Sequence, residues 1–235
     1  FDLRDGDDDG HGLAAGNQTE GHRFHAPGAF AVAGSADWTD KLRAHRVLAD
    51  AAERRRLIAD GIGRLAAARQ LTVVDDPGLL DEVAGLVEWP VPLLGRIAPE
   101  HMDLPPEVMQ VSMRVNQRYF ALRTRDGHAA PWFAFVSNVA AADGGATIVA
   151  GNERVLRARF SDARHFWDLD RKARLESRVP SLAHVTFQAK LGTQGDRVTR
   201  LKRLADIIAP HVGAPGAMAE RAAELAKADL VSGMV

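Results

Sequence analysis

Cysteine is absent from the 235 residues. Disulfides, thiolate-bound zinc and cysteine nucleophiles are therefore excluded, which suits a cytoplasmic setting. No apolar run approaches the ~18 residues of a membrane-spanning helix. The N-terminal FDLRDGDDDG lacks the basic-then-apolar layout of a signal peptide, so no membrane association is expected. The phosphate-binding patterns GxGxxG and GxxxxGK(S/T) are missing, as are HExxH and the GxSxG nucleophile elbow. A strong net charge is missing as well: the formal total is −1. Motif evidence therefore points away from catalysis by this chain itself.

The charge that is present is unevenly placed. Residues 1–150 hold 15 Lys/Arg against 21 Asp/Glu, whereas residues 151–235 hold 15 against 10. A basic half beside an acidic half points to a polyanion-facing C-terminal part. With 46% apolar residues the chain can bury one large core or two modest ones. It opens without Met and stops within an apolar pattern at DLVSGMV, so it is expected to be an excerpt of a longer protein.

Periodicity divides the chain near residue 145. Residues 1–35 are Gly- and Asp-rich, with a short strand expected around Phe30–Val32. Trp38, Leu42, His45, Leu48, Ala49, Ala52, Leu57 and Ile58 are spaced as on a helix. Val73–Val74 before DDPG reads as a turn, LLDEVAGLV (79–87) as a short helix and VPLLGRI (91–97) as a strand. PEVMQVSMRVNQ opens on a helix-compatible Pro. YFALRT and WFAFVSNV flank Asp126–Gly127, a strong hairpin signal. Beyond Ala146 the pattern is helical. Leu156, Phe160, Ala163 and Trp167 form an apolar stripe that Val179–Pro180 ends, HVTFQAKLG (184–192) reads as a second helix, and Asp196 caps a third. The third is expected to bury Val198, Leu201, Leu204, Ala205 and Ile208. Trp89, Tyr119, Phe120, Phe160 and Trp167 are read as core.

Arg157, Arg164, Arg171 and Arg178 recur every seven residues, and Arg154 lies one turn before Arg157. On an unbroken helix such positions stay within a face about 60° wide over a rise of about 31 Å. Guanidinium groups bind phosphate bidentately and keep their charge, so such a line can track a nucleic-acid backbone. Ser161 is a candidate break, and Asp168 and Asp170 are candidate partners that would neutralise the face. Lys190 and the group Arg197, Arg200, Lys202 and Arg203 follow. Arg197 and Arg200 share a face with Leu204, while Lys202 and Arg203 read as surface decoration.

His22 and His25 are spaced as loop ligands are, and Asp5–Asp9 offers oxygen donors. With no HExxH and no Cys–His set, a loop in which the His22 ring packs or hydrogen-bonds is the preferred reading.

Seven stretches, in order, resemble the β subunit of bacterial glycyl-tRNA synthetase of the two-subunit type. They are GHRF (21–24), EVAGLVEWP (82–90), NQRYF (116–120), FVSNV (135–139), GNERVLRARFSDARHF (151–166), FQAKLGT with GDRVTR (187–200), and DLVSGMV (229–235). The resemblance spans residue 20 to the end. It implies a cytoplasmic heterotetramer in which the α subunit carries the class II core that activates glycine with ATP and Mg, while β holds tRNA(Gly). No cofactor is implied for this chain. The implied fold class is α+β: a mixed α/β B3/B4-like domain over 1–145, then an all-helical HD-like segment over 146–235. The family's anticodon-reading region would lie downstream. HD hydrolases bind metal through an adjacent His-Asp pair, which this chain lacks: His165 precedes Phe166, and His184 precedes Val185. No metal ligand is carried over. Nor are editing residues assigned, since pocket size already rejects amino acids larger than glycine.

The expectation is a non-catalytic tRNA-positioning role. Arg154, Arg157, Arg164, Arg171, Arg197 and Arg200 are the phosphate contacts, with Lys190 and Arg178 as secondary candidates. Two alternatives stand beside it. One is a metal-dependent hydrolase or editing domain using His22, His25, His165 or His184. The other is a module that docks on an acidic protein surface of the α subunit or of β itself.

Overall fold

A computed structural model describes residues 16–234, and two compact units divide between Phe160 and Ser161. The Asp5–Asp9 run lies outside the described residues.

The first unit opens with a small antiparallel ribbon of β1 (Gln18–Glu20) and β2 (Ala29–Ala31). The expected long helix is two: α1 (Ser35–Ala44) and α2 (Ala51–Ala67). Between them Arg46 adopts φ 62°, buried Leu48 donates its N–H to Glu88 O at 3.0 Å, and the Asp50 carboxylate caps α2 through Ala52 N. Apolar spacing ran through this break because Leu48 is buried from a non-helical segment.

Thr72–Val73 forms the edge strand β3 rather than a turn, after which Asp76 caps α3 (Pro77–Leu86) by accepting from Leu79 N. Strand β4 (Val91–Arg96) follows. Helix α4 (Pro106–Gln110) passes into a π-helical turn over Val111–Asn116. The expected hairpin is β5 (Phe120–Arg123) and β6 (Ala129–Ser137). The sheet order is β3-β5-β6-β4, antiparallel throughout.

The period of two along β6 sends alternate residues to opposite faces. Ala134 joins Ile58 and Ile62 of α2, Leu79 and Val83 of α3, and Phe120 in one core. Phe133 and Phe135 turn the other way and gather with Tyr119, whose ring stacks on Phe133 at 4.6 Å. Gly95 lies opposite Phe133, and a Cβ there would overlap its ring. A Cβ on Gly61 would meet Pro92 Cγ at 2.6 Å, so glycine sets how closely α2 approaches β4.

Helix α5 (Ala146–Asp170) begins where the helical pattern sets in and runs through Ser161 without a break. It ends ten residues before Pro180, giving way to a 3-10 segment over Leu175–His184. The expected second helix is instead a hairpin, β7 (Thr186–Gln188) with β8 (Gly192–Thr193). Three residues with β preference (Val185, Thr186, Phe187) open it. Gln188 Oε1 then accepts from Lys190 N and Leu191 N to close the turn, and Gly192 supplies φ 87°. This strand pair corrects the all-helical expectation for the C-terminal part.

Helices α6 (Gln194–Ile208) and α7 (Gly216–Leu225) complete the second unit. The cap of α6 is Thr193, with Asp196 as its reciprocal partner three residues on. Along α6 Val198 is buried and Leu201 and Ala205 half-buried, but Leu204 and Ile208 are each 52% exposed. The buried stripe is narrower than expected, and Leu182, Val198, Ala209 and Ala228 are the buried apolar residues among those described in the second unit.

Candidate nucleic-acid interface

Several of the stretches that looked distinctive in sequence build the scaffold. His22 is fully buried. Its Nδ1 accepts from Phe24 N and His25 N, both at 3.2 Å, so the ring proton sits on Nε2, which donates to Asn138 O at 2.8 Å. The Asn138 side chain in turn accepts from Glu88 N and Trp89 N. GHRF, VEWP and FVSNV thus meet at one polar pin. His25 Nε2 accepts from Ala140 N. Desolvation foremost, and then the neighbouring His22 and Arg46, hold its pKa below the ordinary histidine value. Two histidines that suggested a metal loop therefore act as hydrogen-bonded struts, and among the described residues no three His, Asp or Glu side chains gather as ligands would.

A second junction joins NQRYF to GNERV. Tyr119 Oη donates to Asn152 Oδ1 at 2.5 Å, and burial pushes the Tyr119 phenol up to about 12. Glu153 Oε1 accepts from Arg96 N at 2.7 Å, and Arg118 Nε donates to Glu82 at 2.7 Å. Tyr119, Phe120 and Phe160 are buried core, as expected. Trp89 is half-buried with the Arg46 guanidinium 4.8 Å over its ring, and Trp167 is half-buried.

The basic residues sort into three kinds. In the first unit Arg154 and Arg157 are exposed on α5. In the second unit Arg164 is half-buried on α5, and Arg171 is exposed in the turn just past its end. The single-helix line therefore stops before Arg171, and Arg178 lies in the 3-10 segment.

Arg178 has another task. It donates to Asp170 at 2.6 Å and to Val231 O at 3.0 Å. The Arg178 and Asp170 side chains are only 18% and 17% exposed. Asp170 also accepts from Gly233 N and Met234 N. These N–H groups, Gly233 foremost, together with Arg178 hold its carboxyl below the usual range. The arginine anchors the DLVSGMV stretch.

A second set neutralises itself. Arg174 meets Glu176, which meets Arg221; Arg221 meets Glu224, and Lys202 bridges Glu224 and Glu220. Lys202 is thus tied into α7.

The third set is the one the fold assembles. Arg197 lies 4.2 Å over the Phe187 ring, and Arg200 Nη2 donates to Leu191 O at 3.0 Å. Both clasp the β7–β8 hairpin to the first turns of α6, with exposed Lys190 beside Leu191 in the hairpin turn. Cation–π stacking and a carbonyl contact leave the charges in place. The nearby carboxylate is Asp196, whose hydrogen bonds to Thr193 hold it ionised below the usual range. Among the described residues neither Lys190 nor Arg171 has a carboxylate within ion-pair distance.

The family profile of the glycyl-tRNA synthetase beta subunit matches residues 9–235. The chain belongs to that family. It is 53% identical over 229 residues to the glycine–tRNA ligase beta subunit of Phenylobacterium zucineum, covering 95% of this chain and 34% of that protein. It is 51% identical over 223 residues to the beta subunit of Rhodospirillum centenum, covering 94% and 31%. For Paracoccus denitrificans the figures are 50% over 227 residues, covering 95% and 33%. The chain thus spans about a third of the length of these beta subunits.

Sequence reasoning missed Phe187 as the platform for Arg197. It also missed Asn138 and Asn152 as pins of the beta-subunit scaffold. Both asparagines lie in stretches that carried the resemblance, so position in a distinctive stretch was the available signal. Phe187 needed the hairpin, which the helical reading of 184–192 hid.

Proposed function

We propose that this chain helps hold tRNA(Gly) within the β subunit of a glycine–tRNA ligase. In this reading it contacts acceptor-arm phosphates so that the 3′ end reaches an α subunit that joins glycine to it with ATP and Mg. Arg154 and Arg157 serve in the first unit; Arg164, Arg171, Lys190, Arg197 and Arg200 serve in the second. Arg178 acts as a positioning residue through Asp170.

The observation that carries this reading is the hairpin–helix cluster, where Lys190, Arg197 and Arg200 come together while Arg174, Lys202 and Arg221 are neutralised. RNA helices are recognised largely by shape and backbone, a task for arginines without a base-reading motif.

The test is tRNA(Gly) binding by the chain at several salt concentrations. Each phosphate contact contributes about −0.7 to −0.9 to the log–log slope. The double variant Arg171→Glu/Lys190→Glu should bind more weakly, with a slope shallower by about 1.4–1.8. An unchanged slope, with lost association to the α subunit, would instead make the basic face a protein-docking surface. The chain alone should not support glycine-dependent ATP–pyrophosphate exchange; exchange would place catalysis in this polypeptide.

A further inference from the structure

The first unit contains a cavity of about 270 Å³ between the α4–π-turn segment and the β5–β6 hairpin. That is just below the ~300 Å³ at which drug-sized ligand sites begin, so it suits one ring system. Met109 and Met113, both nearly inaccessible, line it with Ile97 and Leu122. Trp132 forms part of the wall, and Gln110, Arg123 and His128 are its polar side chains. Thioethers are polarizable and adapt to the face or edge of an aromatic ring. The helix that presents them changes to π geometry at Val111. Such turns are rare and recur at functional sites.

The surroundings are cationic. Arg123 is exposed and has no carboxylate within ion-pair distance among the described residues. Arg69 and Arg96 lie 4.5 and 5.3 Å from the Trp132 ring centre. Acidic groups also lie nearby: Asp126, 3.6 Å from His128, Glu153, which accepts from the Arg96 N–H, and Glu107 on α4. An apolar, sulfur-lined interior with an uncompensated guanidinium at its mouth selects a flat ring that carries an anionic group.

We propose that this cavity binds a nucleotide, its base against Met109 and Met113 and its phosphate at the mouth beside Arg123 and His128. The assignment is independent of the tRNA-binding cluster in the second unit. Nucleotide chemistry has two sources, a free mononucleotide and the single-stranded end of an RNA.

The test uses the 235-residue chain labelled with ¹³C at the methionine methyl groups. Adenosine 5′-monophosphate should shift the Met109 and Met113 resonances saturably. Ribose 5-phosphate should leave them unmoved, and adenosine should shift them with weaker affinity. Arg123→Gln, at an exposed position, should weaken the mononucleotide about tenfold or more, as expected for a lost charge-assisted hydrogen bond. Gln110→Trp, at the exposed rim, should block binding while the far-ultraviolet circular dichroism is retained. Displacement of the mononucleotide by a short oligoribonucleotide ending in adenosine would identify an RNA end as the source; no displacement would identify the free nucleotide. Unmoved Met109 and Met113 resonances at millimolar mononucleotide would overturn the assignment, as would equal binding by wild type and Arg123→Gln.

Discussion

The two units use their polar residues differently. In the first, His22, Asn138, Tyr119 and Asn152 are drawn inward to tie distant strands and helices together. In the second, interior polar work falls mainly to Asp170 and Arg178, and many basic groups stay at the surface. A distinctive stretch in the first unit therefore reports a folding constraint, whereas basic residues in the second must be sorted one by one. Arg178 and Arg171, seven residues apart in one arithmetic series, have opposite fates.

The sharpest test of that contrast is His22→Ala. It leaves three part-buried backbone groups short of a partner and opens a void where the fully buried ring sat, so stability should fall by about 3 kcal/mol in denaturant unfolding. A loss below about 1 kcal/mol would mean that the pin is ornamental. Asp170→Ala should cost about 2 kcal/mol, since it strands Arg178 and two backbone N–H groups. The pH dependence has a definite sign. The folded pKa of Asp170 lies below its ordinary value, so its stabilisation is present above the unfolded carboxylate pKa. It is lost as pH falls through the folded one. The variant should have a flatter acid limb of stability against pH.

Thr193→Ala removes the cap of α6 and half of its reciprocal bond with Asp196, for a loss of about 1 kcal/mol. Smallest of all, Arg171→Glu/Lys190→Glu should change stability by no more than about 0.5 kcal/mol while altering RNA affinity. If stability drops as far as it does in Asp170→Ala, those side chains belong to the fold.

Much of the first unit was legible in sequence because its signals are local. Asp126–Gly127 between β-rich runs marked the hairpin, and LLDEVAGLV (79–87) marked most of α3. The break at 45–50 was hidden because buried Leu48 keeps helical spacing while its backbone pairs with Glu88. The β7–β8 hairpin was hidden because its turn depends on the Gln188 side chain and on the left-handed Gly192. Apolar type alone also placed Leu204 and Ile208 inside, though only part of the α6 stripe is covered. For the basic face, spacing named candidates but could not tell Arg178 from its neighbours. That distinction rests on Asp170 and on the backbone some sixty residues later.

The clasp between the hairpin and α6 has a consequence for association. Arginine carries about 2 kcal/mol of rotamer entropy, and Arg197 and Arg200 have surrendered part of theirs to Phe187 and Leu191 before any anion arrives. A polyanion docking there would meet cations already held in place. Weak individual contacts can then add up without the usual toll of ordering long side chains on arrival.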